Sequence, residues 1–87
     1  MNCKELHCFF KEHLVPSNLY RIQGERNNRI CLSRTGRKNT WELYFKDKKD
    51  KVGLLSFSTE NEACARMKEE VLKLMEQIYG LSWRGLA

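Results

Sequence analysis

The sequence predicts an α+β protein of two layers, in which an antiparallel sheet of about four strands is flanked by an N-terminal and a C-terminal helix. Apolar residues near both ends of the chain recur every three or four positions, which is typical of amphipathic helices. Between them, short segments alternate apolar and polar residues and are separated by turn residues, which is the pattern of strands. The 87 residues suffice for a single domain, which we expect to span residues 1–87.

The first predicted helix runs from Cys3 to Leu14. Its apolar stripe consists of Leu6, Phe9, Phe10, His13 and Leu14. Lysine and glutamate residues occupy the opposite side, as expected for a helix that packs on a core by one face. Pro16 disfavours helical backbone at the residue before it and therefore ends the segment.

Four strands are predicted in the middle of the chain. They are Leu19–Gln23, Arg29–Ser33, Thr40–Lys46 and Val52–Phe57. In the third strand, Trp41, Leu43 and Phe45 share one face, which needs an apolar cover. The connecting segments GERNN, RTGRKN and DKKDK are short and rich in turn-forming or charged residues. We therefore expect consecutive strands to pair antiparallel.

The second predicted helix begins after Thr59, a suitable N-cap residue, and Glu62 stands where a capping box requires it. Its apolar stripe consists of Cys64, Met67, Val71, Leu74 and Ile78. Gly80 suits the left-handed position that commonly follows a helix. Both helices are expected to cover the sheet face that carries Trp41, which leaves the other face open to solvent. That open face would be lined by Arg29, Ser33, Glu42 and Tyr44.

The positive charge is concentrated in the middle of the chain. The whole chain carries a formal net charge of +5. Residues 21 to 51 contain ten basic and four acidic side chains, a local net charge of +6, so the remainder sums to −1. The strands and their turns are therefore the part of the protein that would attract an acidic partner.

The sequence also suggests where the protein works. It has no run of about eighteen apolar residues, so no membrane-spanning segment is expected. The first fifteen residues, MNCKELHCFFKEHLV, are too charged for a signal peptide. We therefore expect a cytoplasmic protein whose four cysteines are reduced thiols.

No residue pattern predicts catalysis or a bound cofactor. Cys3 and His7 could share one helix face, but a zinc site needs about four ligands with recognisable spacing, and no second pair is evident. The segment TGRKNT has one glycine and lacks the spacing of a phosphate-binding loop. The expectation is a protein that is not an enzyme, with no catalytic residue, no metal and no cofactor.

Nucleic-acid binding is one function that basic strands could serve, because lysine and arginine neutralise phosphates. The stretch from Thr40 to Val71 is somewhat similar to the three-strand-plus-helix units of AP2-type and integrase arm-binding domains. The helix–strands–helix order also resembles the double-stranded RNA-binding domain. That family has lysines at the start of its last helix, where this chain has TENEACARMKEE. A nucleic-acid-binding domain with a basic sheet and hairpins is therefore the alternative function.

A second resemblance covers roughly Val15 to Met67. The chain resembles small immunity proteins of bacterial polymorphic-toxin and contact-dependent growth inhibition systems. The residues that carry the resemblance are Pro16, Leu19, Tyr20, Gly24, Trp41, Tyr44, Phe45, Phe57, Thr59, Glu62, Ala63 and Cys64. Such sequences commonly have Glu-Arg-Gly in the hairpin, where this chain has DKKDK.

The resemblance implies a cytoplasmic protein that binds one cognate toxin domain and occludes its active site. Tight interfaces usually rely on a few aromatic or arginine anchors. Trp83 is a residue of a suitable type. The expected partner-binding residues are Tyr20, Arg21, Arg29, Arg34, Arg37, Tyr44, Lys46 and Lys48. A basic inhibitor suits an acidic patch on the toxin, because opposite charges speed association.

Overall fold

The computed structural model describes residues 1–35 and 40–80. One helix precedes and one helix follows four strands in the chain. The elements are α1 (Cys3–Glu12), a 3₁₀ turn (Ser17–Leu19), β1 (Tyr20–Ile22), β2 (Arg29–Thr35), β3 (Thr40–Asp47), β4 (Asp50–Phe57) and α2 (Glu60–Tyr79). The strands form one sheet in the order β1-β2-β3-β4. This arrangement confirms the predicted α+β class. The predicted turn around Gly36 and the tail with Trp83 lie outside the described residues.

The sheet is mostly antiparallel, but its first strand departs from the expected pairing. β2 pairs antiparallel with β3, and β3 with β4, whereas β1 runs parallel to β2, with Tyr20 opposite Ile30. The backbone turns at Gln23 (φ 57°) and at Asn28 (φ 59°). The Gln23 N–H then bonds to the Leu32 carbonyl at 2.7 Å, and the Asn28 N–H to the Lys46 carbonyl at 2.6 Å. Two reversals restore the original chain direction, so a six-residue connection gives a parallel pair.

Helix α1 begins with a complete capping box. Asn2 Oδ1 accepts the Glu5 N–H at 2.8 Å, and Glu5 Oε1 accepts the Asn2 N–H at 3.2 Å. The helix ends at Glu12, two residues earlier than expected. Leu14 adopts φ 56° and is 84% exposed, while Val15 is buried in its place. The chain therefore turns out of the helix before Pro16, and Leu14 leaves the predicted apolar stripe.

Helix α2 has the predicted N-cap and C-terminal glycine, but in place of the second capping-box bond the Thr59 hydroxyl donates to Glu62 Oε1 at 3.1 Å. Thr59 Oγ1 accepts the Glu62 N–H at 3.2 Å, and the Gly80 N–H bonds to the Glu76 carbonyl with Gly80 at φ 67°. The buried side chains of this helix are Ala63, Cys64, Met67, Val71 and Met75. Met75 thus follows Val71 at the four-residue spacing of one helix face, and the predicted stripe member Ile78 is exposed.

One core lies between the helices and the inner face of the sheet. Leu6 and Phe10 of α1 and Met67 of α2 belong to the same buried cluster as Leu32 and Leu43 of the sheet. Both helices therefore cover the face that was predicted to need a cover. Neither described helix is long and apolar enough to cross a lipid bilayer.

Candidate functional site

Strand β4 forms one edge of the sheet and, among the described strands, pairs with β3 alone. It is also unusually apolar for an exposed edge. Val52 is 51% exposed, Leu54 46% and Leu55 38%. An edge strand presents unpaired N–H and C=O groups, and natural proteins normally protect such edges with charges or a cover. Asp50 and Lys51 protect the start of this edge, but its middle carries three exposed aliphatic side chains, so it is a candidate binding surface.

A β-bulge distributes these side chains over both faces of the sheet. Leu55 pairs with Leu43 and Val52 with Phe45, so two residues of β4 stand opposite one of β3. Gly53, with φ 66°, supplies the left-handed backbone that such a bulge requires. Val52 and Leu55 consequently face the helix side, and Leu54 lies on the opposite face.

A groove of about 450 Å³ lies beside this edge, between α2 and the strands β3 and β4. Its apolar surface consists of Ile30, Leu43, Phe45, Val52, Leu55 and Leu74. Helix α2 packs over the centre of the sheet through Met67, Val71 and Met75, all of them buried. Leu74 lies on the flank of the helix that lines the groove. The volume is in the range of ordinary ligand or side-chain pockets.

Charged side chains surround the groove. Arg66 and Glu70 form an ion pair on α2, with Nε and Oε1 3.0 Å apart, so their charges offset each other. Lys73 on the same helix also lines the groove and adds a positive charge. Lys48 and Lys49 are exposed in the turn that precedes β4. Asp47 and Asp50 flank these two lysines and offset their charge, so the net positive charge beside the apolar groove comes from Lys73.

The outer face of the sheet is partly covered, contrary to expectation. Tyr44 is only 3% exposed, and its hydroxyl donates a 2.7 Å hydrogen bond to Glu25 Oε1 from the β1–β2 loop. Burial raises the pKa of Tyr44 to about 12. The same hydrogen bond is the main reason that the pKa of the Glu25 carboxyl is lowered, and nearby Lys46 lowers it further. The loop thus closes over the middle of this face.

The cations of the outer face form a row, and most of them have acidic neighbours. Strand register places Arg29, Lys46 and Lys51 side by side on β2, β3 and β4. Lys46 pairs with Glu25 and Lys51 with Glu42, each with a nitrogen–oxygen distance of 3.5 Å. The Arg29 guanidinium donates to the Ser17 carbonyl at 3.3 Å. The positive charge of this row is therefore largely compensated within the protein.

The two tyrosines expected at an interface are both internal. Tyr20 is 6% exposed and lies in the core, with its ring centroid 4.6 Å from that of Phe10. Tyr44 is enclosed by the Glu25 loop and by Lys51, whose ammonium lies 4.7 Å from the tyrosine ring centroid. Neither ring is placed to contact a partner, so the structure gives both tyrosines structural positions.

The predicted basic residues do not form one compact patch. Arg21 and Arg34 are exposed on β1 and β2, and Lys48 is exposed in the β3–β4 turn. Arg29 and Arg34 are five residues apart on one strand, which corresponds to roughly 17 Å. Lys46 is half-buried in its ion pair with Glu25. Arg37 lies outside the described residues.

The exposed β4 edge was not recognised as a site from the sequence. The strand itself was predicted as Val52–Phe57, and the structure extends it to Asp50–Phe57. The available signal was the run VGLLSF, in which Leu54 and Leu55 are adjacent and therefore cannot both face the core. Exposed apolar residues on both faces of an edge strand favour contact with another chain, whereas the bulge at Gly53 limits how far regular pairing can extend.

The chain matches no protein-family model, no curated protein sequence and no solved structure at a significant level. The functional interpretation therefore rests on the geometry described above and on the sequence motifs.

Proposed function

We propose that the protein is a cytoplasmic immunity protein that binds a cognate bacterial toxin domain and occludes its active site. The sequence resemblance between Val15 and Met67 supports the class of function. The exposed apolar edge of β4, together with the groove beside it, supports binding of another protein. In this proposal the protein performs no chemistry of its own and inhibits by steric exclusion.

The two-sided exposure of β4 is the observation that carries the proposal. A segment of the toxin that adds to this edge would form main-chain hydrogen bonds with β4. Alternate side chains of that segment would enter the groove and contact Val52 and Leu55. Its remaining side chains would contact Leu54 on the other face. This mode of binding combines a backbone template with an apolar pocket, and it gives both affinity and register.

The toxin surface should be acidic around the point of contact. Lys73 lines the groove, and Lys48 and Lys49 stand at the near end of β4 with Asp47 and Asp50 on either side. Acidic residues that flank the docked segment would meet these ammonium groups. Such rim contacts mainly speed association and select the partner, while the buried apolar contacts hold the complex.

Nucleic-acid binding has weaker support in the structure. Two of the three cations in the outer-face row pair with Glu25 and Glu42, and Arg21 and Arg34 lie apart from the β3–β4 turn. A phosphate backbone needs several cations along one continuous surface. Three exposed aliphatic side chains lie close together on β4, and such a surface suits a protein partner better than a phosphate chain.

Co-expression with the C-terminal domain encoded by the gene immediately upstream tests the proposal. The wild-type chain should restore growth and co-purify with that domain. The double variant Val52→Glu and Leu55→Glu should lose both properties, because it places two charges in the proposed contact. Leu14→Glu is the matched control, since Leu14 is an exposed leucine on another part of the molecule.

The possible outcomes test the immunity function and the β4 binding surface separately. If the double variant loses rescue while the wild type and Leu14→Glu keep it, the result supports both the immunity function and the β4 surface. Rescue by every variant would retain the immunity function and refute the β4 surface. A harmless upstream product that forms no complex with the wild-type chain would refute the immunity proposal, and binding of a DNA duplex would then be measured against salt concentration.

A further inference from the structure

Two thiols and one carboxyl group meet where the N-termini of α1 and α2 come together. Cys3 is the first residue of α1, Glu60 is the first residue of α2, and Cys64 lies one turn further along α2. The two sulfur atoms are 3.9 Å apart. The sulfur atoms and a carboxylate oxygen of Glu60 all lie within 4.8 Å of one another. The cluster joins distant parts of the chain, because Cys3 and Glu60 are 57 positions apart in the sequence.

The protein holds the carboxylate in a defined orientation. Glu60 Oε2 accepts the backbone N–H of Cys3 at 2.8 Å, which leaves Oε1 as a possible ligand atom. In metal sites, a carboxylate that binds the ion is commonly held in place by a hydrogen bond from a neighbouring group. Both cysteines are buried and Glu60 is half-buried, so the cluster is enclosed on the sulfur side and more open beside the carboxylate.

The distances suit tetrahedral coordination by sulfur. Zinc–sulfur bonds of about 2.3 Å at a tetrahedral angle place two thiolate sulfurs roughly 3.8 Å apart. The observed sulfur–sulfur separation is 3.9 Å. A carboxylate oxygen as third ligand leaves one position for water, which is the arrangement of zinc sites with three protein ligands.

We propose that Cys3, Glu60 and Cys64 form a binding site for a thiophilic divalent cation of the zinc type. Two thiolates select zinc, cadmium or cobalt over magnesium and calcium, which prefer sites made only of oxygen. The bound ion would connect the starts of the two helices and would therefore stabilise their packing. This inference does not depend on the proposed toxin-binding function.

Protons must leave the site when the ion binds. Burial is the main reason that the pKa of Cys3 is raised to about 12, and the pKa of Cys64 is also raised. Both thiols are consequently protonated in the metal-free protein at neutral pH. Each bound ion should displace two protons, so apparent affinity should rise by about a hundredfold per pH unit.

Other charged groups also face the cluster and affect its titration. Glu5 of α1 adds a negative charge, which opposes loss of the thiol protons. The Met1 amino group lowers the pKa of Cys64 and donates a hydrogen bond to Asn61 Oδ1. The positive dipole ends of both helices also favour negative charge at this position.

Cobalt(II) is a suitable probe, because thiolate ligation gives a charge-transfer band and tetrahedral geometry gives strong visible absorption. The full chain is titrated with cobalt chloride in the presence of a phosphine reductant, and proton release is followed with a pH indicator. We expect one cobalt ion and two released protons per chain. Excess zinc chloride should remove the cobalt spectrum. Thermal melting should shift upward when zinc is added.

Variants of all four cysteines identify the ligands. Cys3→Ser and Cys64→Ala should abolish the charge-transfer band or weaken cobalt binding at least tenfold, and Glu60→Gln should weaken binding with the sulfur spectrum retained. The controls are Cys8→Ser, an exposed thiol, and Cys31→Ala, a buried thiol on the other side of the sheet. Both controls should bind cobalt as the wild type does.

The proposal is overturned if the wild-type chain shows no thiolate–cobalt band at equimolar metal. It is also overturned if the band survives in Cys64→Ala, which would place the ion elsewhere. A thermal shift with magnesium equal to that with zinc would likewise contradict a thiophilic site. The far-ultraviolet circular dichroism of each variant verifies that it is folded.

Discussion

The hydroxyl of Tyr44 and the Glu25 carboxylate are joined by a hydrogen bond of 2.7 Å. This contact fastens the β1–β2 loop to the outer face of the sheet. It contributes to the burial of Tyr44, whereas Val52, Leu54 and Leu55 of β4 stay exposed. The loop therefore covers the middle of the outer face and stops short of the β4 side chains proposed to bind a partner.

Removal of the Tyr44 hydroxyl should destabilise the protein. Tyr44→Phe deletes the hydrogen bond to Glu25; because this carboxylate is exposed to solvent, we expect the ordinary cost of about 1 kcal/mol in the free energy of unfolding. Urea denaturation followed by circular dichroism gives this free energy. Tyr79→Phe is the matched control, because Tyr79 is exposed, and its stability should be unchanged within about 0.5 kcal/mol. Equal stability of both variants would contradict the structural role of Tyr44.

The contribution of Glu25 to stability should depend on pH. The Tyr44 hydrogen bond, followed by Lys46, lowers the pKa of Glu25 below its ordinary value of 4.5. The ionised carboxylate therefore stabilises the folded state above about pH 4.5, and this contribution is lost as the pH falls through the lowered pKa. Glu25→Gln should be less stable than the wild type at pH 7, and the difference should shrink toward pH 3.

Urea titrations at several pH values measure this convergence. Glu69→Gln serves as the control, since Glu69 is exposed on α2. A Glu25→Gln difference that stayed constant between pH 7 and pH 3, or that grew, would show that the carboxylate does not gain stability from ionisation in the folded protein.

The bulge in β4 should depend on glycine. Gly53→Ala places a β-carbon at φ 66°, a strained backbone conformation, although no neighbouring atom lies within 4 Å of that position. We expect a loss of about 1 kcal/mol in unfolding free energy. Gly53→Asn should lose less, because asparagine adopts left-handed backbone more readily. Urea denaturation should thus rank the glycine protein first, asparagine second and alanine third, and the reverse order of the variants would contradict a left-handed bulge.

Local sequence signals predicted the helices and the main sheet pairing well. The hydroxyl at Thr59 and the glycine at Gly80 define the ends of α2, because caps are decided by a few neighbouring residues. The alternation of Trp41 and Leu43 identified the inner face of β3. These features are determined by residues close together in the sequence, and the structure confirms them.

Features set by tertiary contacts escaped prediction. The segment GERNN indicates a turn, but nothing in it shows that Gln23 and Asn28 both reverse the chain and produce a parallel pair. The burial of Tyr44 depends on a glutamate nineteen residues away. Likewise, the cluster of Cys3 with Glu60 and Cys64 arises only when the two helices pack. At the candidate site, the sequence predicted strand β4. The exposure of its aliphatic side chains could not be predicted, because it depends on where α2 packs on the sheet.

Affinity for the toxin domain encoded upstream is the most direct test of the central claim. Titration calorimetry would compare the wild-type chain, the Val52→Glu and Leu55→Glu double variant and the Leu14→Glu control at two salt concentrations. The account predicts at least a thirtyfold loss of affinity for the double variant, about 2 kcal/mol, as for the loss of an interface hot spot. The control should bind as the wild type does, and added salt should slow association more than it speeds dissociation. Equal affinity of the double variant and the wild type would contradict binding at the β4 edge.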